Sequence, residues 1–104
     1  MSERIPLLDP ESAPASVKET FAAVKAKIGM VPNLYRVLGQ SAAALNAYLG
    51  LGKALETASL ELPLREKIAL AVSQKNGCAY CLSAHSAVAK MAGVSAEAIR
   101  EARA

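Results

Sequence analysis

Apolar residues recur along most of this chain at the spacing of a helix rather than a strand. Val17, Phe21, Val24 and Ile28 follow one another at intervals of four, three and four, the pattern of an amphipathic helix, and Gly29 ends it. Pro14 suits the first turn of that helix, with Ser12 as its expected cap. Lys18, Glu19, Lys25 and Lys27 fall on the other side and read as a solvated face. Pro32 marks a new start, and Asn33 to Leu38 is a short helical segment that stops before Gly39. Ser41 then caps a helix running through Leu45, Tyr48, Leu49, Gly52 and Leu55. Glycine costs a helix interior roughly 1 kcal/mol relative to alanine, so Gly50 and Gly52 predict a close helix approach or a local bend.

Pro63 opens a helix that continues to about Asn76 and is closed by Gly77. It is apolar nearly all round, through Leu64, Ile68, Ala69, Leu70, Ala71 and Val72, which predicts a central position. A further helix runs from Cys78 to about Ala92 and stops at Gly93, and Ser95 caps a last segment, Ala96 to Ala104, with Glu97 in its first turn. Residues 1 to 13, with Pro6 and Pro10, read as an extended arm laid over the surface. About six helical segments without a strand signal predict an all-α protein. Short connections make it a compact antiparallel helical bundle, a single domain over residues 1–104.

Composition narrows the function classes. Apolar residues make up 53% and charged residues 20% of the chain, an apolar surplus that predicts surface covered by another subunit. The net charge of +3 is scattered, and one Phe and three Tyr are the whole aromatic complement. With neither a basic stripe nor stacking platforms, nucleic acid is not an expected partner. No apolar run follows a basic N-terminal region, and none approaches the roughly 18 to 20 residues of a membrane span, so a cytoplasmic location without membrane contact is expected.

The chemistry concentrates in Cys78-Ala-Tyr-Cys81-Leu-Ser-Ala-His85. Both cysteines and the one histidine of the chain fall within these eight residues. With Cys78 at zero on the helix circumference, Cys81 lies at about 300° and His85 at about 340°, so all three share a face. Leu82, Val88, Ala89 and Ala92 lie in or beside that arc and predict burial against a neighbouring helix. Tyr80, Ala84, Ala87 and Met91 form a second apolar strip, read as packing or subunit interface. Upstream, Glu66 lies between Ala69 and Leu70 on its own wheel, on a side shared with Ser73. A carboxylate there loses hydration and calls for a donor; its competing reading is a partly solvated acid favoured by the helix dipole.

Three accounts of this stretch stand open. As a redox pair, one thiolate attacks an oxidised substrate and the other closes a disulfide; cysteines three apart at a helix start can meet the Cα separation of about 4.4 to 6.8 Å that a disulfide needs. As a metal site, Cys78, Cys81, His85 and Glu66 would hold zinc, although closed structural sites more often use Cys and His alone. As inert core, they would belong to a helical interaction module. A CxxC in a reducing compartment places redox first.

Glu66, then twelve residues on Cys78-Ala-Tyr-Cys81, then His85, resembles the active-site motif of the alkylhydroperoxidase D-like branch of the carboxymuconolactone decarboxylase superfamily. The Pro-Leu-Arg-Glu-Lys-Ile-Ala-Leu-Ala-Val-Ser start of the motif helix, the Asn-Gly-Cys junction and the following Ala-Gly-Val-Ser extend the similarity over most of the chain. The resemblance implies an all-helical peroxidase-type thiol oxidoreductase of hydroperoxides, without haem, flavin or metal. It further implies a homotrimer or homohexamer, recharged by a dithiol protein, lipoylated or thioredoxin-like. Cys81 would attack, Cys78 would resolve, and His85 with Glu66 would form a proton relay. Helix-terminal electrostatics alone favours Cys78 as the more acidic thiol, while His85 at i+4 favours Cys81. Tyr80 stands where some members carry a histidine, and tyrosine is a poor proton acceptor at neutral pH, so no second histidine serves the relay, and a weak peroxidase or a disulfide oxidoreductase working by disulfide exchange is the role this departure leaves open. Many relatives continue with further helices beyond the point where this chain ends. The alternatives are a carboxymuconolactone decarboxylase-like enzyme, whose chemistry does not need this dithiol, and a non-catalytic helical oligomer with a zinc-binding Cys/His cluster.

Overall fold

Proline and glycine punctuate the chain into helices where the pattern predicts them. The computed structural model describes residues 4–104. Met1 to Glu3, the start of the expected arm, lie outside the described residues. Among the described residues there are six α-helices and no strand, so the protein is all-α: α1 (Ala15–Ile28), α2 (Asn33–Leu38), α3 (Ala42–Leu55), α4 (Leu62–Lys75), α5 (Ala79–Met91) and α6 (Ala96–Ala102). They fall into two compact units that divide between Leu55 and Glu56. No helix among the described residues is long and apolar enough to cross a membrane.

In the first unit α1 buries Val17 and Phe21, joined in one core by Ala13, Val31 and Leu45, with Leu8, Tyr35, Leu38, Ala42 and Leu49 packed around them. Gly29 ends α1 in the left-handed region at φ 87°, a conformation glycine adopts without steric cost. The cap expected of Ser12 is not formed. Pro14 holds the N-cap position, and the Ser12 amide instead donates to the Asp9 carbonyl at 3.1 Å, closing a turn. Ser41 does cap α3, its Oγ accepting from the Ala44 amide at 3.2 Å. Tyr35 and Tyr48 meet edge to face, with ring centroids 5.6 Å apart.

The described part of the arm is held against α2 by its backbone. The Leu8 amide donates to the Arg36 carbonyl at 3.2 Å, Arg36 Nε donates to the Leu8 carbonyl at 2.7 Å, and Gln40 Nε2 donates to the Pro6 carbonyl at 2.9 Å. Gly39 lets α2 close on α1: a Cβ there would stand 2.6 Å from Phe21 Cζ and 3.1 Å from the Tyr35 carbonyl oxygen. Gly39→Ala is therefore expected to destabilise the protein by about 1–3 kcal/mol, the cost of overpacking a closed core. Urea unfolding checks this: the midpoint should fall with the slope unchanged. Gly50 and Gly52 behave otherwise. A Cβ at either meets nothing within 4 Å, so the close neighbour expected for them is not supplied within the described chain.

The second unit is a three-helix cluster around Leu70, Ala89, Val94 and Ile99, with Leu82, Ala98 and Ala102 beside them. α4 begins one residue before the expected Pro63, with Glu61 at the N-cap and Leu62 in the first turn. Burial splits its apolar circumference into two unlike faces. Glu66, Leu70 and Ser73 lie within about 60° of one another and are buried. Leu64, Ile68 and Val72, centred about 200° away, are 46%, 45% and 53% exposed, so the all-round burial predicted for this helix is not reached within the chain. Ser95 caps α6 through Oγ, accepting from the Ala98 amide at 3.1 Å.

Candidate functional site

One turn of backbone does most of the positioning. α4 ends with Gly77 in the left-handed region at φ 65°; the Gly77 amide donates to the Gln74 carbonyl at 3.1 Å and the Cys78 amide to the Ser73 carbonyl at 3.0 Å. This is the paired 5→2 and 6→1 pattern of a glycine-terminated helix, with Cys78 the residue just beyond the glycine. The same bonds recur at the end of α5, where Val94 donates to Ala89 at 2.9 Å and Gly93 to Lys90 at 3.1 Å. Cys78 then starts the next helix at once. It is the N-cap of α5, its Sγ accepting from the Cys81 amide at 3.1 Å and its carbonyl accepting from Leu82 at 3.0 Å. Cys78 thus belongs to both helices, and the turn between them folds α5 back against α4.

The four residues singled out in the sequence meet as two pairs, one within the turn and one between α4 and α5. Cys78 and Cys81 form a disulfide, with Cα atoms 5.2 Å apart, inside the range expected for cysteines three apart at a helix start. Six residues into α5, His85 Nδ1 lies 2.6 Å from Glu66 Oε2. Glu66 is buried, at 9% exposure, which decides between its two readings: it is an interior carboxylate with a donor, not a solvated acid of the first turn. A carboxylate only accepts, so Nδ1 carries the proton in this bond, and neutral His85 keeps its lone pair on Nε2. The His85 side chain is 37% exposed, so this nitrogen belongs to a ring that solvent reaches.

Most of the shared face of α5 is as the wheel predicts, since Cys78, Cys81, Leu82, His85 and Ala92 are part-buried and Ala89 is fully buried, but Val88, at the edge of the arc, is exposed. The second strip is not covered within the chain: Tyr80 and Met91 are exposed. One participant was not legible beforehand. The Ser73 carbonyl anchors Cys78, while Ser73 Oγ donates to the Ala69 carbonyl at 2.6 Å and stays internal to α4. Gly77 followed by a residue bonding five positions back is the signal that would have located the Ser73 contact. Every buried side-chain nitrogen and oxygen among the described residues has a partner. No group of three or more His, Cys, Asp and Glu side chains among them is arranged to hold a metal ion. Both sulfurs are committed to each other, and a disulfide sulfur is not the thiolate that zinc requires.

This arrangement can accept two electrons in one S–S bond and carry a proton on an imidazole oriented by a buried acid. Comparison with curated proteins and with solved structures finds no match to this chain. The sequence model of the carboxymuconolactone decarboxylase family, by contrast, matches residues 40–104. That match spans α3 to α6 and more than half of the chain, and the protein belongs to the carboxymuconolactone decarboxylase family.

Proposed function

We propose that the protein is a thiol-dependent oxidoreductase of the alkylhydroperoxidase D-like kind, reducing hydroperoxides through Cys78 and Cys81. The observation that carries this reading is the bond from Glu66 on α4 to His85 on α5, the helix whose N-terminus also carries the disulfide. Inert core would need neither the pair nor the S–S bond. Cys81, one turn before His85, gives its proton to Nε2 and attacks the terminal oxygen of the peroxide; the O–O bond breaks, and alcohol or water leaves with a proton. The sulfenic acid on Cys81 then condenses with the Cys78 thiol, losing water and closing the disulfide. Two electrons have passed from the dithiol to the peroxide, and a dithiol protein returns them by exchange.

The test is an intact mass and thiol count on the reduced protein before and after one equivalent of an organic hydroperoxide. The expected result is a loss of two hydrogens and of both thiols, with the peroxide consumed. Thiols that persist beside unreacted peroxide would remove the peroxidase assignment.

Assembly forms part of the same reading. Leu64, Ile68 and Val72 on α4 and Tyr48, Leu51 and Leu55 on α3 are exposed at helical spacing, apolar stripes of the kind subunits cover. We expect a homotrimer or homohexamer of the 10.8 kDa chain. Light scattering at micromolar concentration checks it, and a monomeric mass would sink the oligomer.

A further inference from the structure

Resting on the thiol-redox reading above, we propose that the reductant enters the disulfide at Cys81 and that Cys78 is the sulfur it expels. Thiol–disulfide exchange is an in-line displacement, so attack on either sulfur drives out the other, and the faster course expels the better-stabilised thiolate. The two sulfurs of this bond are not equivalent. Cys78 Sγ already accepts the Cys81 amide at 3.1 Å while the disulfide is closed. When the S–S bond breaks, negative charge develops on an atom that a backbone N–H already faces, at the positive end of the thirteen-residue helix α5. Cys78 need not move to receive it. Its amide is tied to the Ser73 carbonyl at 3.0 Å and its carbonyl to Leu82 at 3.0 Å, so the sulfur starts and ends over the same helix terminus.

Cys81 has no such provision. Its amide is the donor that Cys78 uses, and its neighbour one turn on, His85, offers a lone pair rather than a proton while Glu66 holds Nδ1–H. In the disulfide Cys81 carries no proton for that lone pair to take, so His85 gives an expelled Cys81 thiolate no hydrogen bond. The sequence of bonds follows. A thiolate of a dithiol reductant attacks Cys81 Sγ, the Cys78–Cys81 bond breaks, and Cys78 leaves as thiolate. The reductant's second thiol then attacks its own sulfur in the mixed disulfide and releases Cys81, which recovers a proton. The reductant ends as its disulfide, and the protein ends with two thiols.

Oxidised protein mixed with excess 2-mercaptoethanol, quenched with acid at early times, alkylated with N-ethylmaleimide and mapped by tandem mass spectrometry, reads this regiochemistry directly on the unaltered chain. The expected product carries mercaptoethanol on Cys81 and the alkyl group on Cys78. It should exceed the reverse isomer by roughly tenfold or more, the ratio that a hydrogen bond to one leaving thiolate yields. The reverse isomer in excess, or an even mixture, overturns the inference while leaving the redox reading intact. A disulfide that no concentration of 2-mercaptoethanol opens overturns both.

Discussion

Cys81→Ser is expected to abolish peroxide consumption, with turnover falling to the background of buffer alone. Serine is nearly the same size and retains the backbone amide that donates to Cys78 Sγ, so the N-terminus of α5 keeps its cap. What disappears is the only sulfur one turn from His85, and a hydroxyl is not a thiolate at neutral pH. Cys78→Ser should behave differently. Its hydroxyl also caps a helix well, Cys81 remains to attack, and a single turnover should still consume about one equivalent of peroxide, stopping at a sulfenic acid that has no partner. Rapid-mixing peroxide assays on the two variants separate the roles, and a dimedone adduct on Cys81 in the Cys78→Ser protein marks the stalled state. A reversed pattern, with Cys81→Ser giving the single turnover, would assign the attack to Cys78. Unfolding curves close to wild type for both variants would show that chemistry, not folding, was lost.

Much of the fold was legible because local punctuation is strong in this chain. Pro32 and Gly39 bracket α2 at the predicted residues, Gly77 and Gly93 sit at positive φ just past α4 and α5, and Ser41 and Ser95 cap the helices they precede. Each of these signals is a property of one or two residues and survives whatever the rest of the protein does. Ser12 was misread because Pro14 can begin a helix by its fixed φ alone, which left the serine free to join the Asp9 turn. Burial was the less legible quantity. An apolar side chain states that burial is favourable but not which surface supplies it, so the exposed stripe of Leu64, Ile68 and Val72 and the open space around Gly50 and Gly52 could not be foreseen.

The candidate site divides along the same line. That Cys78, Cys81 and His85 share a face follows from 3.6 residues per turn and one continuous helix. That Glu66 meets His85 depends on how α5 folds back after Gly77, a tertiary fact that periodicity leaves open. The buried wheel position of Glu66, between Ala69 and Leu70, was the strongest hint available, because an interior carboxylate must find a donor. The only histidine in the chain is that donor.

Glu66→Gln is expected to leave the protein folded and slow its reaction with peroxide by about tenfold to a hundredfold, the range typical when a group that orients a functional histidine is changed. The amide matches the carboxylate in shape, and its oxygen can still accept from Nδ1, so the buried position stays filled and paired. The negative charge is lost. It favours the imidazolium that forms when Nε2 takes the Cys81 proton, and it fixes the tautomer, since an amide can also turn its NH2 toward Nδ1 and place the ring proton on the wrong nitrogen. Because Glu66 acts through His85, its effect should vanish where His85 is absent. In a His85→Asn background, itself expected to cost roughly a hundredfold or more as the loss of a general base, Glu66→Gln should change the rate by less than about twofold. A merely structural Glu66 would give the opposite result, with both substitutions lowering stability and their rate effects multiplying. Stopped-flow peroxide reduction on the four proteins, read beside their urea midpoints, distinguishes the two, and equal kinetics for wild type and Glu66→Gln would take the buried acid out of the mechanism altogether.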